Sequence, residues 1–407
     1  MPADLLADAT AMAGDLAELR HAIHQEPELG LELPRTQSKV LSALDGLPLE
    51  ISCGRGLSSV VAVLRGGQPG PAVLLRGDMD ALPVTERTGL PFASTKKDQW
   101  EGKEVGVMHA CGHDLHTAML AGAARLLSAR RGELPGSVIF MFQPGEEGHA
   151  GARIMIEEGV LDAAGGRPVA AYGLHVASAQ LPGGVLSTRP GTIMAAADTF
   201  EVTVHGRGGH ASQPHNAADP IPAACEIVTA LQTMVTRKFN VFDPVVLTVG
   251  SFHAGTVDNV IPDDARMAAS LRTFSPETRA RAMDAAIALV HDVASAHGLT
   301  ATAEFGQGYP VTVNDAGQAE FAESVVTGLL GAGRFMPTPY PLTGSEDFSY
   351  VLEEVPGAFL MLGACLPGND PATAAFNHSP EAAFDDAVLA DGAAVYAELA
   401  IKRLAAG

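Results

Sequence analysis

Three short runs with scarcely a polar side chain restrict the folds open to this chain more than any other feature: Ala72–Leu75, Val138–Phe142 and Val169–Leu174. Runs this short and this uniformly apolar read as strands buried on both faces, the mark of a parallel sheet covered by helices. Leu115–Arg130, rich in Ala and Leu, is predicted as a helix, Ala358–Leu362 as another buried strand, and Pro380–Leu404 as containing a closing helix. The chain opens with an amphipathic stretch over residues 4–25, where Leu16, Leu19 and Ile23 keep helical spacing and Pro27 is the stop. A short apolar run, Ser59–Leu64, follows, and the Gly/Pro-rich residues 66–71 read as a turn. This alternation predicts an α/β domain with a mostly parallel sheet.

The pattern changes near residue 190. Thr199–Val204 alternates with period two, unlike the runs before it. A predicted helix from Ala217 to Arg237, strands over 245–252 and 264–274, a helix from Pro276 to His297 and a strand from Thr300 to Phe305 complete the order β-α-β-β-α-β, a ferredoxin-like split βαβ unit. At 407 residues, two domains are expected. We place their limits at residues 1–189 with 309–407, and at an inserted 190–308.

The apolar runs end in chemistry. Asp78-Met79-Asp80 follows the first, Glu146-Glu147 the second, and His175 the third. In an open α/β sheet, ligands bind beyond the carboxyl ends of the strands, so the three runs point to one edge. The strongest local signal is His109-Ala110-Cys111-Gly112-His113-Asp114-Leu115-His116, at the opening of a predicted helix. A thiolate and an imidazole two residues apart converge on one metal if the turn is tight, which Gly112 permits, and Asp114 can accept from a liganding histidine. By itself, Cys-x-His reads equally well as a helix cap with a buried thiol, whereas an isolated Glu-Glu is more often a solvated turn and a lone histidine such as His175 or His378 more often a structural one. Only their gathering at one sheet edge favours a metal-dependent hydrolase, in which one carboxylate binds metal and its neighbour takes a proton from water. In the inserted domain, Gly206-Arg207-Gly208-Gly209-His210-Ala211-Ser212 lacks the lysine and spacing of a phosphate loop, and its glycines let backbone approach something closely. Asn259 and Arg272 are further polar residues there with substrate roles to consider, Arg272 reading equally as a surface charge.

The formal net charge of −21 makes nucleic acid and anionic membrane poor partners, and means that a carboxylate substrate needs a local cation. Four widely spaced cysteines, Cys53, Cys111, Cys225 and Cys365, show no disulfide framework. With no signal-peptide pattern and no long apolar span, a cytoplasmic location is expected.

Arg76-Gly-Asp-Met-Asp-Ala-Leu-Pro83, Met108-His-Ala-Cys-Gly-His-Asp-Leu-His116, Phe142-Gln-Pro-Gly-Glu-Glu-Gly148, Gly206-Arg-Gly-Gly-His-Ala211, Ser345-Glu-Asp-Phe-Ser349 and His378-Ser-Pro380 stand in order, with His24-Gln-Glu-Pro-Glu28 near the start. Together, and over nearly the whole chain, they resemble the aminoacylase and hippurate hydrolase family of two-metal metallopeptidases, which includes the plant hydrolases of auxin–amino acid conjugates. The resemblance implies a catalytic α/β domain carrying a lid domain, with homodimers or higher homo-oligomers formed through the lid. It implies two divalent cations, zinc or manganese with cobalt a third candidate, held by Cys111, His113, Glu147, His175 and His378, with Cys111 bridging. Glu146 then matches the general base, Asp80 an acid beside the site, and His210 the lid histidine that polarises the scissile carbonyl, often across the dimer. Asn259 and Arg272 match positions near the substrate carboxylate. One departure is Ala269-Ser270 before Leu271-Arg272, where the family pattern leads us to expect a glycine. The implied reaction is hydrolysis of an N-acyl-amino acid, a small molecule, to a carboxylic acid and an amino acid. A dipeptidase or aminopeptidase of the same metal class is the alternative within enzymes. A catalytically dead binding protein on the same fold is the alternative outside them, although every candidate position is filled.

Overall fold

The computed structural model describes residues 4–406. The first three residues, part of the stretch read above for targeting, lie outside them. By its internal contacts the chain divides into two units. One runs to Ile193 and takes in Val313–Pro339 and the chain from Tyr350 onward. The other is Met194–Thr312 with Tyr340–Ser349, a segment that the sequence reading had left in the first domain.

Among the described residues, the first unit is built on a seven-stranded sheet in the order Leu49–Cys53, Val60–Arg65, Pro135–Gln143, Gln68–Asp78, Ala170–Ala177, Gly357–Gly363, Leu186–Ser187. The four strands from Pro135–Gln143 to Gly357–Gly363 are parallel, and the flanking strands pair antiparallel. The central strands are buried along most of their length, which is why their sequences are continuous apolar runs and do not alternate. The reversal before Gln68–Asp78 needs only Gly66 and Gly67; residues 68–71, expected in a turn, belong to the strand. A Cβ on Gly66 would lie 2.2 Å from the Leu134 carbonyl oxygen, and one on Gly67 2.5 Å from that of Gly132, so backbone packing forces glycine at both.

Helix His113–Ala129 is buried almost all round, and Val388–Ala405 packs against it. Gly392 makes room for Met119, whose sulfur would stand 1.9 Å from a Cβ there. Tyr396, fully buried on the closing helix, donates its hydroxyl proton to the Arg76 carbonyl (2.5 Å) and accepts the Leu174 N–H (2.8 Å), tying two central strands to the helix layer. The single helix expected over residues 4–25 is two, Leu5–Ala11 and Ala13–His24, broken at Met12. Gly14 just beyond the break weakens helical continuity through its backbone freedom.

The second unit has a four-stranded antiparallel sheet in the order Val245–Ala254, Asp264–Thr273, Ala196–His205, Thr300–Phe305. Helices Pro220–Lys238 and Pro276–Ala296 cover it, so its main elements follow the chain as β-α-β-β-α-β. Phe200, Val202 and Val204, the alternate residues of one strand, enter a core shared with Ile227, Leu231 and Val290 of the helices. Asp219 and Ser275 cap the two helices by accepting the N–H groups of Ile221 and Thr278. No helix among the described residues is long and apolar enough to cross a membrane.

Candidate metal centre

Four parallel strands end at one edge of the first unit's sheet, and the candidate residues of that unit gather there. Asp80 follows Gln68–Asp78, Glu146 and Glu147 follow Pro135–Gln143, and His378 lies in the loop beyond Gly357–Gly363. His175, expected just past its strand, is inside it, two residues from the end of Ala170–Ala177. Cys111 and His113 come from the turn that opens helix His113–Ala129. That turn requires Gly112 twice over: its φ is +84°, and a Cβ would stand 2.3 Å from Val176 Cγ2.

The donor atoms form two triplets that share one sulfur. Cys111, His113 and His175 make the first, and Cys111, Glu147 and His378 the second, each with its donor atoms within 4.8 Å of one another. Cys111 Sγ stands 3.3 Å from His175 Nε2 and 3.2 Å from His378 Nε2, which in turn is 3.2 Å from Glu147 Oε1. His113, Glu146 and Glu147 form a further triplet, which places Glu146 beside the second cluster. Asp80 holds the paired glutamates from behind: its two carboxylate oxygens accept the N–H groups of Glu146 and Glu147, both at 3.0 Å. The His378 backbone has a φ of +72°, uncommon for any residue but glycine, and its N–H is pinned to the Ala110 carbonyl at 2.8 Å.

Hydrogen bonds to Cys111 and Glu147 push His378 up to about 10, while burial opposes. Burial and the neighbouring His116 push His175 well below its ordinary range. Burial would raise Glu147, but the His378 hydrogen bond and the nearby His113 hold it below the usual carboxylate range. Sulfur, carboxylate and imidazole thus crowd around positions that favour positive charge. Both ring nitrogens of fully buried His113 lack a hydrogen-bond partner, the nearest acids being Asp80 Oδ1 at 3.5 Å and Asp78 Oδ2 at 3.6 Å. A buried imidazole left in this way costs stability unless something else takes its lone pair. This mixed S/N/O donor set fits two divalent cations sharing a thiolate, and makes the cluster a candidate two-metal site.

Asp114, expected to accept from a liganding histidine, does not. It is fully buried and accepts from Arg20 Nε (2.9 Å) and His24 Nδ1 (2.8 Å), because helix Ala13–His24 packs on the face from which Asp114 projects. Asp78 is bound to Arg76 Nη1 (2.6 Å) and His116 Nδ1 (2.5 Å). His109 is buried with no hydrogen-bond partner at either nitrogen; burial pushes it down to about 3, and it is in neither Cys111 triplet. Two residues that the sequence left without a role lie in the cluster's support: His116 accepts the Val176 N–H, and Asn377 donates to the Cys111 and Val176 carbonyls. His116 stood in the histidine-rich motif, but Asn377 carried no signal beyond its place next to His378.

In the second unit, His210 pairs across a two-residue ladder with Val260, and the next residue, Ala211, donates its N–H to the Asn259 carbonyl. His210 is exposed, and its Nδ1 bonds the Ser212 hydroxyl at 2.9 Å. Arg272, on strand Asp264–Thr273, donates to Ser345 Oγ at 3.3 Å. The glycines of this loop approach the chain itself: Cβ atoms on Gly206, Gly208 and Gly209 would stand 2.3 Å from Ala218 O, 2.9 Å from Ile261 O and 2.8 Å from Ala217 Cβ.

A model of the family described as peptidase family M20/M25/M40 matches residues 74–402. The chain is 38% identical over 392 residues to thermostable carboxypeptidase 1 of Saccharolobus solfataricus, covering 95% of each chain. It is 38% identical over 353 residues to N-acetyl-L-cysteine deacetylase of Bacillus subtilis, covering 86% of this chain and 80% of that one. Among solved structures, a dinuclear metal-binding peptidase of the M20 family from Bacillus subtilis superposes with a TM-score of 0.80 at 33% identity, over 97% of this chain and 99% of the other.

Proposed function

Because the chain belongs to peptidase family M20/M25/M40, and is therefore a metal-dependent hydrolase, we propose that it cleaves the amide bond of N-acyl-amino acids, with Glu146 as the general base. The observation that carries this reading is the pair of donor triplets sharing Cys111 Sγ with Glu146 alongside. Cys111, His113, Glu147, His175 and His378 hold the two cations. When bound, these cations polarise a carbonyl oxygen and lower the pKa of water. The Glu146 carboxylate accepts the proton of the attacking water and returns it to the leaving nitrogen. Asp80 keeps Glu146 and Glu147 in register by gripping both backbone N–H groups. From the second unit, His210 is assigned to the scissile carbonyl, and Asn259 and Arg272 to the substrate carboxylate. Zinc suits the thiolate, and imidazole and carboxylate tolerate manganese or cobalt.

A similar deacetylase of an N-acetylated amino acid and a similar carboxypeptidase support an amide next to a free carboxylate as the scissile bond. The test is a metal-supplemented panel of N-acyl-amino acids, their carboxamides and free dipeptides. Turnover of the N-acyl-amino acids well above that of their carboxamides and of free dipeptides is expected; preference for free dipeptides would replace this reading with the dipeptidase one. A homodimer formed through the second unit, with His210 serving the partner's site, belongs to the same proposal. Mixing inactive Glu146→Gln with inactive His210→Ala under subunit exchange should then restore part of the activity, and none if His210 serves its own chain. The four free thiols suit a reducing compartment such as the cytoplasm.

A further inference from the structure

We propose that Asn377 and His116 are positioning residues that clamp the Val176 main chain and, through it, aim the His175 lone pair and the Cys111 sulfur at the metal centre. The inference rests on the reading that Cys111, His175 and His378 bind metal.

An imidazole ligand must present a lone pair, and the partner of its other nitrogen decides which nitrogen that is. His175 Nδ1 lies 2.8 Å from the Val176 carbonyl oxygen. A carbonyl only accepts, so Nδ1 carries the proton and Nε2 is left bare, 3.3 Å from Cys111 Sγ. The tautomer therefore depends on where the Val176 main chain sits, and both of its polar groups are held. Its N–H donates to His116 Nε2 at 2.8 Å. Since that nitrogen accepts, the His116 proton is on Nδ1, where Asp78 Oδ1 takes it at 2.5 Å. The Val176 carbonyl receives a second donor, Asn377 Nδ2, at 3.0 Å.

The orientation of the Asn377 amide follows from its neighbours. The Ser178 N–H, a pure donor, stands 2.9 Å from Asn377 Oδ1, with the Ser178 hydroxyl at 3.0 Å. The amide nitrogen thus faces the Val176 carbonyl, the Cys111 carbonyl at 3.2 Å and Cys111 Sγ at 3.8 Å. One side chain joins the segments that carry Cys111 and His175, and the next residue is His378 itself.

Three substitutions separate positioning from bulk structure. Asn377→Asp keeps the shape and the Ser178 contacts but turns an acceptor toward two carbonyls and a sulfur. His116→Asn keeps a donor near the Nδ1 position and loses the acceptor for Val176, whereas His116→Gln restores an acceptor near Nε2. Zinc affinity is read by competition with a chromophoric chelator, beside far-UV dichroism and melting of the metal-free proteins, with Cys111→Ala as reference. We expect Asn377→Asp and His116→Asn to fold and to lose about 10–100-fold in zinc affinity, and His116→Gln to recover part of it. In cobalt-loaded protein, Asn377→Asp should weaken the thiolate-to-cobalt charge-transfer band. Affinities within about threefold of the wild type in both variants, while Cys111→Ala loses the site, overturn the inference, as does a lowered melting point with unchanged affinity. If Asn377→Asp does not fold, the His116→Asn and His116→Gln pair decides alone. Two full equivalents of tightly held zinc in Cys111→Ala would instead remove the ligand reading, and this inference with it.

Discussion

A carboxylate that shuttles protons and one that holds a cation need different surroundings, and the adjacent residues Glu146 and Glu147 have them. Glu147 lies 3.2 Å from His378 Nε2 and within the Cys111 cluster, while Glu146, only 6% exposed, stays outside both triplets that share the sulfur. Replacing Glu146 by Gln keeps volume and hydrogen-bonding reach but removes the basic oxygen. We expect Glu146→Gln to retain two equivalents of metal by elemental analysis and to lose about 10²–10⁴-fold in kcat. Metal loss in that variant would exchange the roles of the two residues. What could be read here from sequence was residue type at a strand end. What could not was mutual support: that Asp80 grips the backbone of both glutamates, or that Asn377 reaches Cys111, depends on contacts between residues 66 or more positions apart.

Elements were legible where one physical rule governed them. The runs Val138–Phe142 and Ala358–Leu362 announced strands because both their faces are covered, and Thr199–Val204 announced a half-covered one by alternating. The hairpin of Lys97–Trp100 and Lys103–Gly106 is exposed on both faces, so neither pattern marked it. Asp114 shows the same limit at the junction of two helices, because its partners on Ala13–His24 lie 90 and 94 residues away. That junction is an ion network with a pH signature. Burial alone would push His24 down, but the Asp114 carboxylate, with Glu86 on the other ring nitrogen, holds it up to about 9. A pKa raised on folding adds stability that is complete below the unfolded value, about 6.5 for histidine, and is lost as pH rises through the folded one. Urea unfolding should therefore show wild-type stability falling between about pH 6.5 and 9 by up to about 1.4 kcal/mol per pH unit more than in His24→Asn. Parallel profiles for the two proteins would mean that His24 is neutral in the fold.

At the scale of the whole molecule, the net charge of −21 and the proposed anionic substrate oppose each other. A field of that sign lowers the concentration of a carboxylate near the protein, and its reach is the Debye length, about 10 Å at 0.1 M salt and about 30 Å at 0.01 M. Local cations must then do the capturing. Arg272 is suited to this: it is half-buried, burial pushes its pKa down from the ordinary value, and a single hydroxyl, Ser345 Oγ, is hydrogen-bonded to its Nη1. The two effects respond differently to ions, because a contact pair in a partly buried site is screened far less than a diffuse surface field. Raising ionic strength from about 0.01 to 0.15 M should accordingly increase kcat/KM for an N-acyl-amino acid several-fold, on the order of the weaker steering effects seen in charged clefts. The carboxamide of the same compound, which carries no charge, should show a flat profile at its lower rate. Arg272→Met should raise KM for the acid while leaving its salt response intact, since the long-range field remains. A kcat/KM that falls with salt for the acid would show that a local positive potential governs encounter, and that the acidity of the chain as a whole has no part in admitting substrate.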